Sequence, residues 1–175
     1  APVIGAVLAR LTARHPDLRV ALPTVRGVAD LVRDLTADWP VQPEIITDSA
    51  RKRGAFAMAD VALAASGTVS LELAANDCPM VIAYRLHPLS FWLMQRAALI
   101  DTVTLVNLVS ETRSIPEFLG PACQADAIAE AMLPLMAPGP QRAQQQGAMR
   151  LTMDRLGKGG ESPGLRAARS VLAAL

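Results

Sequence analysis

Val61-Ala62-Leu63-Ala64-Ala65-Ser66-Gly67-Thr68-Val69-Ser70-Leu71-Glu72 is the stretch whose reading decides the fold. Its first five residues are small and apolar, as in a strand buried on both faces of a parallel sheet. Ser66-Gly67-Thr68 reads as a tight turn and Leu71 to Ala75 as the start of a helix. Strand, glycine turn and helix in that order gather backbone N–H groups and the positive end of a helix dipole at one spot, which suits phosphate. Glu72 lies one helical turn beyond Thr68 on the same face, where a carboxylate can accept hydrogen bonds from ribose hydroxyls. A nucleotide sugar is the first ligand this suggests. The alternatives are an ordinary β–α turn with a Ser or Thr cap, and a solvated glutamate.

Upstream, the chain opens on a helix, Val3 to Ala13, and Leu18 to Pro23 follows as a strand. Val25 to Leu35 carries Val28, Leu31, Val32 and Leu35 at helical spacing. Glu44 to Thr47 reads as a second strand, and Asp48 or Ser49 caps a helix over Ala50 to Ala59 that exposes Arg51, Lys52 and Arg53. Val61 to Ala65 is the third strand, Thr68 to Asn76 a helix and Met80 to Tyr84 the fourth strand. This alternation predicts an α/β fold, a Rossmann-like parallel sheet flanked by helices and joined by right-handed crossovers.

Ligands of open α/β sheets bind beyond the carboxyl ends of the strands. Tyr84-Arg85 ends the fourth strand, so Arg85 is placed to meet a diphosphate in the same crevice, or else is a surface arginine. Thr102 to Asn107 reads as a last strand or an extended loop. That puts the amide of Asn107 at another strand end, where it reads a base or sugar edge or simply makes a turn.

Leu89 to Ile100 reads as a helix, whose Phe91-Trp92-Leu93-Met94 cluster suits core or an interdomain contact, or else contact with lipid. Ala125 to Met136 is an amphipathic helix, and Pro138-Gly139-Pro140 a clean break. A polar, Gln-rich helix over Gln141 to Leu156, a Gly-rich linker and a last short helix from Leu165 complete the chain. The expected division is a nucleotide-sugar-binding domain over residues 1–137 and a helical extension over residues 138–175. A parallel-sheet domain normally begins on a strand, so a helical opening reads as a fragment.

Composition narrows the classes. The 175 residues are 51% hydrophobic but only 3% aromatic, which suits aliphatic strands and Ala-rich helices more than a β-sandwich. Seventeen basic and sixteen acidic residues leave a charge of +1, no electrostatic footprint for nucleic acid. Mean hydropathy is high, +0.29, yet no apolar run is long enough to span a bilayer. Cys78 and Cys123 are too few and too far apart for a zinc motif or a disulfide framework, and read as small buried hydrophobes in a reducing compartment. His15 and His87 do not pair, and no nucleophile elbow or Walker-type loop is present.

Ala65-Ser66-Gly67-Thr68-Val69-Ser70-Leu71-Glu72, Cys78-Pro79-Met80-Val81-Ile82-Ala83-Tyr84-Arg85, Pro88-Leu89-Ser90 and Asn107-Leu108, in this order, resemble the lipid A disaccharide synthase family. These are inverting glycosyltransferases of the two-domain GT-B type, and the likeness runs from about Leu18 to Met136. The resemblance implies the carboxyl-terminal half of that fold. It implies a cytoplasmic enzyme, peripheral on the inner membrane of a Gram-negative bacterium. Such an enzyme transfers 2,3-diacylglucosamine from UDP to 2,3-diacylglucosamine 1-phosphate, forms a β(1→6) disaccharide and releases UDP.

By the same resemblance Ser66, Gly67 and Thr68 contact the diphosphate, Glu72 the ribose, and Tyr84, Arg85 and Asn107 the donor region. The UDP-sugar is a substrate, and no cofactor or metal is implied. The catalytic base and a Gly-Ser-Arg loop are expected in an amino-terminal half of the same chain, before Ala1, so this part alone turns nothing over. A homodimer is a further expected partner state. The chain departs from the family after Asn107-Leu108: a small residue followed by Gly-Arg-Glu is usual, and here Ser110-Glu111-Thr112-Arg113 stands. Arg113 is read as taking a neighbouring role. Two other readings stay open, a sugar-nucleotide epimerase of the same fold and a non-catalytic module that dimerises.

Overall fold

The computed structural model describes residues 1–65, 67–85, 96 and 101–173. Helix α1 (Pro2–Arg14) comes first, with Pro2 in the first turn, where a missing N–H costs nothing. Strand β1 (Ala21–Pro23), a 3-10 turn at Arg26–Val28, helix α2 (Ala29–Thr36) and strand β2 (Glu44–Ile46) follow. Then come α3 (Ser49–Met58), β3 (Ala62–Ala64), α4 (Val69–Ala75) and β4 (Met80–Tyr84). Beyond residue 100 lie α5 (Leu105–Ser110), β5 (Glu117–Leu119), α6 (Ala125–Met132), α7 (Pro140–Arg155) and α8 (Pro163–Leu172). The helix expected over Leu89 to Ile100 lies outside the described residues except for Arg96, and so does His87.

The architecture is α/β, with every strand pair parallel. One continuous sheet is expected from the sequence; among the described residues the strands pair in two groups, β1–β2 and β3–β4–β5. β4 sits in the middle of the second group and is its core strand. Side chains alternate across a strand, and β4 buries both faces. Met80 and Ile82 join Phe56, Leu73, Val106, Ile115 and Met149 on one side. Val81 joins Val7, Leu11, Ile128, Met132 and Leu135 on the other. Helices α4, α5 and α7 thus cover one face, and α1 with α6 the other. Arg10–Asp126 and Arg14–Glu130 ion pairs tie α1 to α6 at the rim.

One strand assignment is corrected by the fold. Thr102 to Asn107 is no strand, because α5 begins at Leu105. Its Thr and Val content favours a strand locally, but burial of Val106, Asn107 and Ser110 against neighbouring helices prevails. The last strand is instead Glu117–Leu119, which follows a proline and begins with a charged residue. Glu117 is there because its carboxylate accepts from Thr102 Oγ1 (2.6 Å), Val103 N–H (3.1 Å) and Thr104 N–H (2.7 Å).

The polar helix expected after Pro138 is present as α7. Helix α7 packs against α4 and α5, and buries Gln145, Ala148, Met149, Thr152 and Met153, so it completes the core of the preceding residues. In α2, Leu31 and Leu35, with Val28 just before the helix, face outward at 57%, 54% and 40% exposure; Ala29 and Thr36 make its buried side.

Candidate functional site

Because β3, β4 and β5 run parallel, their carboxyl ends share one edge. Ala64 is level with Ile82, and Tyr84 with Leu119. The turn at Gly67 and the residue Arg85 therefore leave the sheet on the same side. Gly67, Thr68, Tyr84 and Arg85 are all exposed there, so the edge is an open ledge. Ser66 lies outside the described residues.

The turn owes its shape to Gly67 and Ser70. Gly67 has φ +89°, a conformation that a side chain disfavours, and a Cβ built there would meet nothing within 4 Å. Ser70 is fully buried; its hydroxyl and its N–H both donate to the Gly67 carbonyl, at 2.8 and 3.1 Å. Leu71 and Glu72 donate their N–H groups to the Thr68 carbonyl, at 3.0 and 3.2 Å. With those carbonyls engaged, the N–H groups of Gly67, Thr68 and Val69 have no protein acceptor among the described residues. Unpaired donors at a helix start attract an anion.

Glu72 stands in the first turn of α4, as expected, but it is not solitary. Lys52 on α3 reaches it, Nζ to Oε2 at 2.7 Å, and the same ammonium lies 5.4 Å from the centroid of the Phe56 ring. The sequence by itself puts Lys52 on a solvated face with Arg51 and Arg53; the signal that separates it is Phe56 four residues on, an apolar platform for a long cationic stem. Arg51 pairs instead with Glu44. Helix α3 is fixed at its start by Asp48, whose carboxylate accepts from the Arg51 N–H at 2.8 Å. That bond is the main reason the Asp48 carboxyl is held below its usual range.

Asn107 is placed elsewhere. Its Nδ2 donates to the Ile115 carbonyl and its Oδ1 accepts from the Ile115 N–H, both at 2.9 Å, with the residue buried. Ile115 lies two residues before Glu117, which is level with Ile82, so Asn107 belongs to the start of the strands and not to their carboxyl edge. Arg113 is engaged by Asp101.

Burial raises the thiol of Cys123, and the charge of Arg85 acts on it in the opposite sense. Two open hollows, of about 420 and about 320 Å³, lie away from the ledge, beside Arg33 and Gln42 and beside Asp77 and Arg150. Among the described residues no three His, Cys, Asp or Glu side chains gather as a metal site.

A family model described as lipid-A-disaccharide synthetase matches residues 2–166. A lipid-A-disaccharide synthase of Ruegeria pomeroyi is 54% identical over 180 residues, which cover 98% of this chain and 44% of that protein. Those of Rhodospirillum centenum and Paramagnetospirillum magneticum are 42% and 41% identical, covering 98% and 96% of this chain and 43% of each relative. The chain thus spans less than half the length of these curated relatives.

Proposed function

The chain belongs to the lipid-A-disaccharide synthetase family, and from that premise we propose that it is the nucleotide-sugar-holding part of a glycosyltransferase. The reaction moves 2,3-diacylglucosamine from UDP to 2,3-diacylglucosamine 1-phosphate, forms a β(1→6) bond and releases UDP. The observation that carries this reading is the shared ledge, where the turn with the open amides of Gly67, Thr68 and Val69 and the residue Arg85 leave adjacent parallel strands at one edge.

As the glycosidic bond breaks, negative charge grows on the leaving UDP. Fixed N–H donors and a cation stabilise that charge without having to reorganise. By the family resemblance Ser66 is a further diphosphate contact, Glu72 accepts from the ribose, and Tyr84 flanks the donor. A general base takes the proton of the acceptor hydroxyl. Both substrates carry acyl chains, which places the reaction at the surface of the inner membrane. No helix among the described residues is long and apolar enough to cross it.

Titration of the labelled 175-residue chain with UDP, read by backbone amide shifts, tests the reading. Shifts are expected at Gly67, Thr68, Val69, Glu72 and Arg85. A spectrum unchanged at those residues in millimolar UDP would overturn it.

A further inference from the structure

Lys52 is held by two contacts that fix its ammonium in space. The stem crosses Phe56, which is only 8% exposed and so forms a rigid platform, and Nζ reaches Glu72 Oε2 at 2.7 Å. The other carboxylate oxygen, Oε1, has no partner among the described residues. Both side chains are about a third or more exposed, at 35% and 44%, so the pair adds little to folding. Its consequence is for what Glu72 can bind. A carboxylate one helical turn from a diphosphate repels it, and a cation on one oxygen relieves that repulsion while the second oxygen stays open to a hydroxyl.

We infer that Lys52 is a positioning residue of the nucleotide site, turning Glu72 so that its open oxygen meets a ribose hydroxyl beside the diphosphate. The inference rests on the nucleotide-sugar reading above. It makes selectivity for a ribonucleotide over its 2′-deoxy form depend on a residue that touches neither.

Calorimetric titration of the 175-residue chain with UDP and with 2′-deoxy-UDP tests it. The wild type is expected to prefer UDP by about tenfold, the worth of one hydrogen bond to a charged group. Lys52→Met keeps an apolar stem over Phe56 and removes the charge. It is expected to lower the preference below about threefold with the melting temperature nearly unchanged. Lys52→Arg restores the preference, and Lys52→Met added to Glu72→Gln lowers it no further. A wild-type preference retained in Lys52→Met overturns the inference and leaves the nucleotide site standing, as does a wild type that binds both ligands equally. A wild type that binds neither at millimolar concentration removes the nucleotide site and the inference with it.

Discussion

The side-chain amide of Gln145 takes the place of a strand residue beside Met80. Its Oε1 accepts from the Met80 N–H at 2.9 Å and its Nε2 donates to the Met80 carbonyl at 3.0 Å, with both residues buried. The reason lies in the register. Ile82 donates its N–H to Pro116, and β5 begins only at Glu117, opposite Ile82. Met80, two residues earlier, turns its N–H and carbonyl to the same side as Ile82, before the start of β5, where no strand residue meets them. A primary amide has the donor and the acceptor of a peptide group, so one glutamine from α7 closes the ladder.

Gln145→Leu leaves a buried N–H and a buried C=O without partners. Each such group costs about 1–3 kcal/mol, and burial of the leucine methyl groups offsets part of the loss. The variant should therefore be less stable by roughly 2–4 kcal/mol in urea titrations. A deficit smaller than about 0.5 kcal/mol would mean that water or a shifted strand satisfies Met80.

How much of this is legible in the sequence follows from where the information sits. β4 reads directly, because a strand buried on both faces is an apolar run, and the observed limits Met80–Tyr84 match it. The turn at Gly67 reads because only glycine is at ease at positive φ. Glu117 and Gln145 are illegible: each is a polar residue whose reason is a backbone group far along the chain, 65 residues away in the case of Gln145. The bonds of Asn107 to Ile115 are equally hidden, since an amide that mends a backbone gap looks in sequence like an amide that reads a ligand. The apolar stripe of α2 has the periodicity of a helix but faces outward, because spacing fixes a face and not its partner.

Asn107→Ala separates the two meanings of that amide. Both Ile115 backbone groups lose their partner, so stability should fall by about 2–4 kcal/mol in chemical denaturation. UDP affinity, measured well below the melting temperature, should stay within about twofold of wild type. Intact stability with a large loss of affinity would return Asn107 to the donor site.

Glu111 ends α5 with φ 58° and ψ 33°, the left-handed cap that glycine occupies most readily. Glu111→Gly relieves backbone strain but gives up an exposed ion pair with Arg155 (3.2 Å) and loosens the unfolded chain. The net expectation is a gain of about 0.5–1 kcal/mol, seen as a higher urea midpoint at unchanged slope. A lower midpoint would show that the ion pair outweighs the strain.

Cys78 predicts a feature of the alkaline limb of stability. Burial pushes its thiol up to about 12 from 9.0, with Arg142 acting weakly in the other direction. The unfolded chain then loses this proton near pH 9 while the folded chain keeps it, so the unfolded state binds fewer protons and stability falls as pH rises. This contribution is complete below about pH 9 and is lost on the way to about pH 12. Denaturation midpoints measured from pH 8 to 11 should decline more steeply for wild type than for Cys78→Ala. Parallel declines would show that other groups set the limb. The same burial predicts that iodoacetamide at pH 8 labels Cys78 only after unfolding.

Gly67→Ala asks whether the turn holds an anion or is merely a turn. No atom lies within 4 Å of the added methyl group, so the only folding cost is the positive φ, about 1–2 kcal/mol. If the ledge is empty in function, nucleotide affinity should follow that small loss and hardly change. If a diphosphate lies against the open amides of Gly67, Thr68 and Val69, the methyl group stands between ligand and donors, because glycine is what allows so close an approach. UDP affinity should then drop more than about tenfold while the folded fraction at 20 °C stays near unity, a loss larger than strain alone can give. Equal UDP affinities for wild type and Gly67→Ala would leave the turn with a structural role only and remove the diphosphate from this edge.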